Sequence, residues 1–536
     1  MTPLFKRLLG RTTAVVLLAA SSARAELPQA EYFQPPAASS GTELAAAQPT
    51  APGPAGPTWE QYQSLVERLD ANERKIAELR SSPNSAAPIV DPKRVVADGN
   101  PPVASPEQRI GALEKALGVK DTSPTFPSVR LSGFFHLDEG WFGQDAASRA
   151  TLGDIQDGVG FRRARLQALG SVAEFTNYSI EMDFATAGRP SFMDVWGEQT
   201  HVPVLGNVRI GQYRQPYSMD ALTSVRQLEF LERSLPFQAF DPFRRVGLMA
   251  YDQSDGKMST WAYGIYRTGG FGNADLGDTR FATDIGDNGG ISGVMRATHL
   301  LYYDEPADGR YLLHIGGSYG YSRATGGTAG TPFYQSRVIP EFFVGDPAGG
   351  GATAAGTPFF ADTGRLASNS FQVMNAQLAG QYGAVHFQAE YMANLVDQIG
   401  AGQCYYDGAY AQVGWFLTGE HRTYNRMWGT FDRVNPYSEF FSLGRDKWFC
   451  GWGAWELVGR WSYVNLNSPN AAPIVITPGV PPSPDPGRLN NLTLGMNWIW
   501  NAYAKVQFNY IYCMLDNAAA GNSDTSIYCT RFEVQF

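Results

Sequence analysis

The chain is poor in the residue types that build metal, haem and nucleophilic sites. Its 536 residues include only four cysteines and six histidines, and the cysteine spacing fits neither a zinc nor a haem motif. We therefore expect no metal and no cofactor. Cys513 and Cys529 flank one predicted loop and could form a disulfide in an exported chain. A bond between Cys404 and Cys450 is a weaker hypothesis, and free thiols are an equal alternative.

Long apolar runs and lysines are also scarce. No apolar run of roughly 18 residues or more follows the N-terminus, which excludes a transmembrane helix. The net charge of −9 argues against nucleic-acid binding. After residue 125, only three lysines accompany 26 arginines. Arginine offers a planar set of donors suited to oxyanions, although a GC-rich genome would produce the same excess.

Residues 1–25 have the pattern of a secretory signal peptide. Three basic residues precede an apolar stretch, Thr13–Ala20, and small residues at Ala23–Ala25 form a cleavage site. We therefore expect export, with a mature chain that begins near Glu26.

Three segments separate the signal peptide from the rest of the chain. Residues 26–57 are rich in alanine and proline and predict a flexible linker. Residues 58–80 predict a coiled-coil helix, and residues 81–128 predict a second linker with a short helix. Because three heptads are marginal alone, we expect the coiled coil to support self-association. Its seam comprises Tyr62, Leu65, Leu69, Asn72, Ile76 and Leu79.

Residues 129–536 show polar and apolar side chains in alternation. In the last segment, Tyr528, Thr530, Phe532, Val534 and Phe536 share one face, and Cys529, Arg531, Glu533 and Gln535 share the other. Segments of about ten residues with aromatic ends are typical of tilted strands that cross a bilayer. The strands of a water-soluble β-sandwich also alternate between polar and apolar residues. The connections of this chain alternate between short and long, however, and a sandwich gives no reason for that. We count sixteen such segments and predict an all-β fold, a 16-stranded antiparallel transmembrane β-barrel.

The connections predict where the barrel is narrowed. An even strand number puts both chain ends on one side with the short turns, which we expect in the periplasm. One connection on this side, 419–451, is long and has room for extra hairpin structure. Because sixteen strands leave a lumen too wide for wall side chains to fill, we predict that the outward loop at about 214–244 folds inside as a constriction. The sequence of this loop predicts an amphipathic helix. Its apolar face, which we expect against the wall, comprises Leu228, Leu231 and Leu235. Its charged face, which we expect toward the pore, comprises Arg226, Glu229 and Arg233.

Several stretches resemble the phosphate-selective porin O and P family. They are GQYRQPYSMDALTS (Gly211–Ser224), FLERSLP (Phe230–Pro236), DGAYAQVGWFLTGE (Asp407–Glu420), GAWELVGRWS (Gly453–Ser462) and LTLGMNWIWNAYAKVQFNY (Leu492–Tyr510). The resemblance implies a trimeric sixteen-stranded outer-membrane channel for anions, with arginines along the passage. This chain departs from the family because its barrel has almost no lysine and is acidic overall, which predicts weaker anion selectivity.

The candidate pore residues are arginines on polar strand faces or in the predicted constriction loop. Charged rings and pore radius determine selectivity, and several spaced, weak sites pass ions better than one tight cage. We predict pore-lining, anion-binding roles for Arg163, Arg165, Arg209, Arg226, Arg233, Arg244, Arg245 and Arg296. Arg460 and Arg531 also fall on inward faces. Each could instead pair with an inward carboxylate, for which Glu181, Asp183, Glu456 and Glu533 are available.

The predicted function is passive diffusion of phosphate or other small anions through an arginine-lined homotrimer in the lipid of a Gram-negative-type outer membrane. The alternative is a general diffusion porin for small hydrophilic solutes. We do not expect an enzyme, because neither His201 nor His299 belongs to a serine–histidine–acid spacing. A third hypothesis is an adhesive barrel whose large loops at 322–368 and 465–488 bind partners. The low charge of these loops also suits a simple shield over the mouth of the pore.

Overall fold

The computed structural model describes most of the chain after residue 124. The described residues are 125–185, 190–268, 290–326, 330–345, 356–440, 442–443, 448–449, 451–474, 486–517 and 521–536. The predicted signal peptide, first linker, coiled coil and nearly all of the second linker lie outside them, so these remain predictions.

Sixteen strands form one closed antiparallel barrel, which confirms the predicted fold class. Consecutive wall strands pair with each other, and the first strand also pairs with the last, which closes the sheet. The strands are β1 (Arg130–Gln144), β2 (Gly158–Ala173), β3 (Thr176–Asp183), β4 (Ser191–Val202), β5 (Gly206–Arg214), β6 (Arg244–Gln253), β7 (Ser259–Thr268), β8 (Gly290–Tyr303), β9 (Tyr311–Arg323), β10 (Leu366–Tyr382), β11 (Val385–Gln398), β12 (Cys404–Phe416), β13 (Ala454–Asn465), β14 (Gly487–Asn501), β15 (Ala504–Asn517) and β16 (Gly521–Gln535).

Side chains along each strand alternate between the outer surface and the lumen, as a period of two requires. On β16, Tyr528 is 55% exposed on the outside, whereas Arg531 and Glu533 are fully buried on the inside. Barrels that cross a bilayer show this apolar-out, polar-in arrangement.

The hypothesis of a Cys513–Cys529 disulfide is wrong. Both thiols are free and buried. Cys513 lies opposite Thr525 and Cys529 lies opposite Asn509, so the register separates the two sulfurs along the ladder. Cys404 is also free, and Cys450 lies outside the described residues.

Helices are short and lie between the strands. Among the residues that the structure describes, no helix is long and apolar enough to cross a bilayer. The helices are α1 (Ala146–Leu152), α2 (Met219–Leu222) and α3 (Leu235–Phe240), with 3₁₀ turns at Val225–Gln227 and Glu305–Ala307.

Connections from both ends of the barrel enter the lumen. The infolded loop, residues 215–243, joins β5 to β6 and supplies Leu231 and Leu235 to a buried cluster that also holds Val338 and Phe342 of the β9–β10 connection. Inward residues of the wall complete this cluster. The hydrophobic core of the protein therefore lies inside the barrel.

The long connection on the short-turn side contains two small hairpins, which confirms the extra hairpin structure expected there. Tyr424–Asn425 pairs with Thr430–Phe431, and Ser442–Leu443 pairs with Trp448–Phe449. We call residues 419–440 the inner hairpin segment. It extends into the lumen.

Two contacts with inward wall residues place the inner hairpin segment inside the barrel. The Trp428 ring stacks on Tyr251 of β6 at 4.6 Å between centroids. The Tyr424 hydroxyl oxygen lies 2.6 Å from Nδ1 of His314 on β9. The lumen is therefore filled from the short-turn end as well as from the long-loop end.

Candidate ion passage

The infolded loop begins with a helix that the opposite wall holds in place. Ser218 caps α2, because its hydroxyl oxygen accepts the Ala221 N–H at 2.9 Å. Glu390 of β11 accepts the N–H groups of Met219 at 2.8 Å and Asp220 at 3.1 Å. These amides have no carbonyl partner within the helix. A carboxylate of the wall thus fixes the point where the loop enters the lumen.

The predicted amphipathic helix of this loop is wrong. Helical residues of the loop are confined to α2, Val225–Gln227 and α3, and no helix covers residues 228–234. Pro236 lies in the first turn of α3, where its fixed φ favours a new helix start. Leu231 and Leu235 are fully buried, and each stabilises the loop by about 2 kcal/mol.

Arg233 holds the loop together. Its side chain is 1% exposed, and its guanidinium donates to the carbonyl oxygens of Asp220 at 2.8 Å and Thr223 at 2.7 Å. The same group lies over the Phe237 ring at 4.9 Å from its centroid and over the Phe243 ring at 5.3 Å. This geometry favours a role in folding the loop over contact with a passing ion.

Glu232 joins the loop to the wall through three arginines. Its carboxylate is paired with Arg162 at 3.0 Å, Arg163 at 2.8 Å and Arg531 at 2.8 Å. Burial alone would raise the pKa of Glu232, but these three guanidiniums hold that pKa well below its usual range. Asp138 shares Arg531 at 2.6 Å. The cluster is a fixed, largely neutralised bridge between β1, β2, β16 and the loop.

Other predicted arginines also lie beside polar partners. Arg165 pairs with Asp183 at 2.7 Å, Arg209 with Glu198 at 2.6 Å, and Arg244 with Asp194 at 2.7 Å. Arg296 donates to the Trp428 carbonyl oxygen at 2.7 Å and the Gln377 side-chain oxygen at 2.8 Å. Half-buried Arg245 donates to the Arg244 carbonyl oxygen at 2.8 Å.

A junction joins the infolded loop to the inner hairpin segment. Arg422 pairs with Glu229 and donates to the Gln227 carbonyl oxygen at 2.7 Å. His386 Nδ1 lies 3.3 Å from Glu229, and its Nε2 lies 2.7 Å from Glu456. Because the loop and the hairpin enter from opposite ends, this buried charge cluster fixes one against the other.

A cavity of about 30 Å³ opens beside this junction. Its wall combines the infolded loop, the inner hairpin segment and the short-turn ends of β13 to β16. The cavity is lined by Arg226, Gln227, Leu228, Glu229, Arg422, Asp432, Arg433, Val434, Glu456, Asn497, Ile499, Asn501, Ala502, Ala504, Lys505 and Gln535. Of the eight predicted arginines, Arg226 is the one among these lining residues.

The structure therefore separates the eight predicted residues. Arg163 joins the Glu232 cluster, Arg233 supports the loop from within, and Arg226 faces the cavity. The remaining five lie along the wall among polar partners. Roles of all eight in anion binding remain predictions.

The sequence did not point to Glu232, Arg422 or Arg433. Glu232 looked like one more charge in a charged loop, and its arginine partners lie on distant strands. For Arg422 and Arg433, the available signal was the unusual length of a connection on the short-turn side.

Comparisons with known proteins agree on the class of barrel. The family model described as phosphate-selective porin O and P matches residues 129–536. Porin O of Pseudomonas aeruginosa is 24% identical over 387 residues, which cover 69% of this chain and 80% of that protein. An uncharacterized protein of Caulobacter vibrioides is 25% identical over 416 residues, 76% of this chain and 75% of its own length.

Solved structures give weaker similarities. The anion-selective porin from Comamonas acidovorans has a TM-score of 0.42 at 11% identity, with 76% of this chain and 99% of that chain covered. The outer membrane channel DcaP of Acinetobacter baumannii has a TM-score of 0.42 at 10% identity, with 77% of this chain and 99% of that chain covered. Neither selectivity nor assembly transfers to this chain at that level of similarity.

Proposed function

This chain belongs to the phosphate-selective porin O and P family and is a β-barrel porin of the outer membrane, and on that premise we propose that it passes anions by passive diffusion through an arginine-bearing lumen. The observation that carries the proposal is Arg226. It lies on the infolded loop, lines the cavity, and has no carboxylate within ion-pair distance among the described residues. The short-turn end, where this cavity lies, faces the periplasm.

One fixed cation is enough to bias ion passage. Two unit charges about 5 Å apart interact by about 0.8 kcal/mol even in bulk water. That energy corresponds to a roughly fourfold enrichment of a monovalent anion beside Arg226. The enrichment is modest, so bound ions still leave quickly, as conduction requires.

The zero-current potential in a KCl gradient tests this proposal. The wild-type channel should prefer chloride. Arg226→Ala should lower the chloride-to-potassium permeability ratio roughly 16-fold, because the fixed charge enriches chloride about fourfold and depletes potassium about fourfold. Arg149→Ala is the matched control, because Arg149 is 60% exposed in α1, which lies in the connection between β1 and β2. A wild-type channel without anion preference, or a ratio that Arg226→Ala leaves unchanged, contradicts the proposal.

Phosphate-like ions are the proposed preferred solutes. A phosphate that sheds water needs fixed donors in return, and arginine supplies paired, charge-assisted ones. Millimolar inorganic phosphate should therefore reduce the chloride current through open channels. Undiminished current at that concentration removes phosphate from the proposal and leaves the anion preference intact.

A general diffusion porin is the second candidate, and the paired wall arginines favour it. Arg165, Arg209 and Arg244 each lie beside a carboxylate, so much of the inward positive charge is neutralised. A channel of this kind passes small hydrophilic solutes with a permeability ratio near unity. The zero-current potential distinguishes the two candidates.

The channel is proposed to work as a homotrimer. What supports this is the heptad pattern of residues 58–80, which suits a small parallel bundle. Chemical cross-linking of full-length protein should yield a trimer, and deletion of residues 58–80 should weaken it. A cross-linked species of another size contradicts the trimer.

A further inference from the structure

The two legs of the infolded loop meet where the loop leaves the wall. We call residues 215–218 and 241–243 the neck of the loop. The Gln215 N–H donates to the Phe243 carbonyl oxygen at 2.7 Å. Phe243 has a φ of +47°, a conformation that is strained for a bulky residue. Because Asp241 Oδ1 accepts the Phe243 N–H at 2.8 Å, this carboxyl group helps to hold the strained backbone of the neck.

Three buried carboxyl groups lie at the neck. Asp220 and Asp241 are each 5% exposed, and Glu390 of β11 is 3% exposed. Glu390 acts on Asp241 from the wall, and Arg233 acts on it from within the loop. The Arg233 guanidinium is already bound to carbonyl oxygens of the loop. One such cation does not balance three buried negative charges, so burial favours the protonated form of one carboxyl group.

Hydrogen bonds indicate which carboxyl group holds the proton. Asp220 Oδ2 accepts the N–H of Ser234 at 3.0 Å and its hydroxyl at 2.8 Å. Asp241 Oδ2 has no partner of hydrogen-bonding geometry among the described residues. A carboxylate with several donors is stabilised in its charged form, whereas a buried oxygen without a donor favours the acid. Glu390 accepts from four groups, which are the N–H groups of Met219 and Asp220, the Tyr410 hydroxyl and the Asn375 side-chain amide.

The electrostatics of Asp241 agree with this assignment. Burial raises the pKa of Asp241 to about 7. The Phe243 N–H and the Ser218 hydroxyl oppose this effect. Glu390 reinforces it, and Arg233 opposes it. Asp241 therefore changes its charge between mildly acidic and neutral pH.

The neighbours of Asp241 leave its negative charge largely uncompensated. The Tyr217 hydroxyl is fully buried and also has no partner of hydrogen-bonding geometry among the described residues. Burial raises the pKa of Tyr217 well above its usual range, and the charges of Asp241 and Glu390 raise it further. Arg244 follows the neck in the chain but is paired with Asp194 at 2.7 Å.

We propose that Asp241 is a proton-operated latch that seats the infolded loop in acid and releases its neck when the proton is lost. The protonated group keeps its hydrogen bond to Phe243 without placing a charge opposite Glu390. The deprotonated group is more stable in water than in the neck, so the strained backbone relaxes and the passage widens. The inference rests on the proposed channel and concerns the regulation of its width.

Single-channel recordings in symmetric KCl at different pH values test the latch. The ratio of time in the wider state to time in the narrower state should rise roughly 80-fold from pH 5 to pH 8, because the seated neck binds one more proton than the released neck. Above pH 8 the ratio should be nearly constant, because Asp241 is then charged in both states.

Variants of the carboxyl group assign the effect to Asp241. Asp241→Asn stays neutral and keeps an oxygen for the Phe243 N–H, so its channels should remain in the narrower state from pH 5 to pH 9. Asp241→Glu keeps a titrating group and should retain a rise of the same sign. Asp154→Asn is the matched control, because Asp154 is 70% exposed in the connection between β1 and β2, and it should behave as the wild type does.

Two results would overturn the inference: a ratio in the wild type that does not change between pH 5 and pH 8, or a rise in Asp241→Asn equal to that of the wild type. Each variant is first checked for a folded barrel by its heat-modifiable migration on gels. If Asp241→Asn does not fold, loss of the rise in folded Asp241→Glu would overturn the inference instead. The zero-current potential at pH 8 tests the anion preference separately, so failure of the latch and failure of the proposed function are distinguishable.

Discussion

Glu232→Gln removes the carboxylate that holds the infolded loop against the wall. The substitution keeps the shape of the side chain but deprives Arg162, Arg163 and Arg531 of a shared negative charge. The Glu232 carboxylate is 4% exposed, so water cannot replace it. Because its pKa lies well below the usual range, the cluster stabilises the fold at neutral pH and weakens only in strong acid.

The expected loss can be estimated from burial. Removal of one partner from a buried ion pair costs about 3–5 kcal/mol. Asp138 still pairs with Arg531 at 2.6 Å, so we expect a value of about 3 kcal/mol. Glu305→Gln is the matched control, because Glu305 also pairs with an arginine, Arg426, but is 65% exposed. An exposed pair contributes about 0–1 kcal/mol.

Urea unfolding in detergent, followed by tryptophan fluorescence, measures the difference. Glu232→Gln should lower the free energy of unfolding by about 3 kcal/mol, and Glu305→Gln should hardly change it. Single-channel conductance of Glu232→Gln should rise, because the loop loses its wall contact. If the two variants unfold alike and conduct alike, Glu232 does not anchor the loop.

Three further predictions concern the loop and the wall. Arg422→Ala leaves Glu229 buried without its arginine. Single-channel conductance should therefore rise and become noisy. A quiet conductance equal to that of the wild type would show that the junction does not restrain the lumen. Burial raises the pKa of Asp241 to about 7, so its contribution to stability is complete below about pH 4, declines as pH rises from about 4 to 7, and is lost above about pH 7. The midpoint of thermal unfolding should fall between pH 5 and pH 9 in the wild type and should fall less in Asp241→Asn. Parallel curves for the two proteins would exclude Asp241 as the source of this pH dependence. Gly211 has a φ of +134°, and a Cβ at this position would lie 2.3 Å from the Val195 carbonyl oxygen. Gly211→Ala should therefore reduce the fraction of folded, heat-modifiable protein. An undiminished fraction would show that the strand can shift to accept the Cβ.

The barrel could be predicted because each strand carries its own evidence. A wall that faces lipid on one side and polar groups on the other needs alternation in every strand. In β16, the sequence placed Arg531 and Glu533 inward, and the structure buries both. The position of the loop could be inferred from the charges that interrupt this alternation.

The pairing inside the lumen could not be predicted, because it depends on strand positions around the barrel. Glu232 and Arg531 are 299 residues apart in the chain but meet at 2.8 Å. Helical periodicity also misled within the loop. Its leucines fit one helical face, yet Ser234 and Pro236 begin a separate helix, and Arg233 turns inward to bind carbonyl oxygens.

In the sequence, only the length of the inner hairpin segment marked it as unusual. Residues 419–440 were too long for a turn, but nothing in their composition showed that they enter the lumen. Wall contacts such as Trp428 on Tyr251 hold them there. The position of this segment in the lumen therefore needed the structure.

The zero-current potential of Arg226→Glu in a KCl gradient tests the central claim most directly. The substitution changes the charge facing the cavity by two units, so the chloride-to-potassium permeability ratio should fall further below that of the wild type than the roughly 16-fold expected for Arg226→Ala. A ratio equal to that of the wild type, from channels with heat-modifiable barrels, would contradict control of ion passage by the infolded loop.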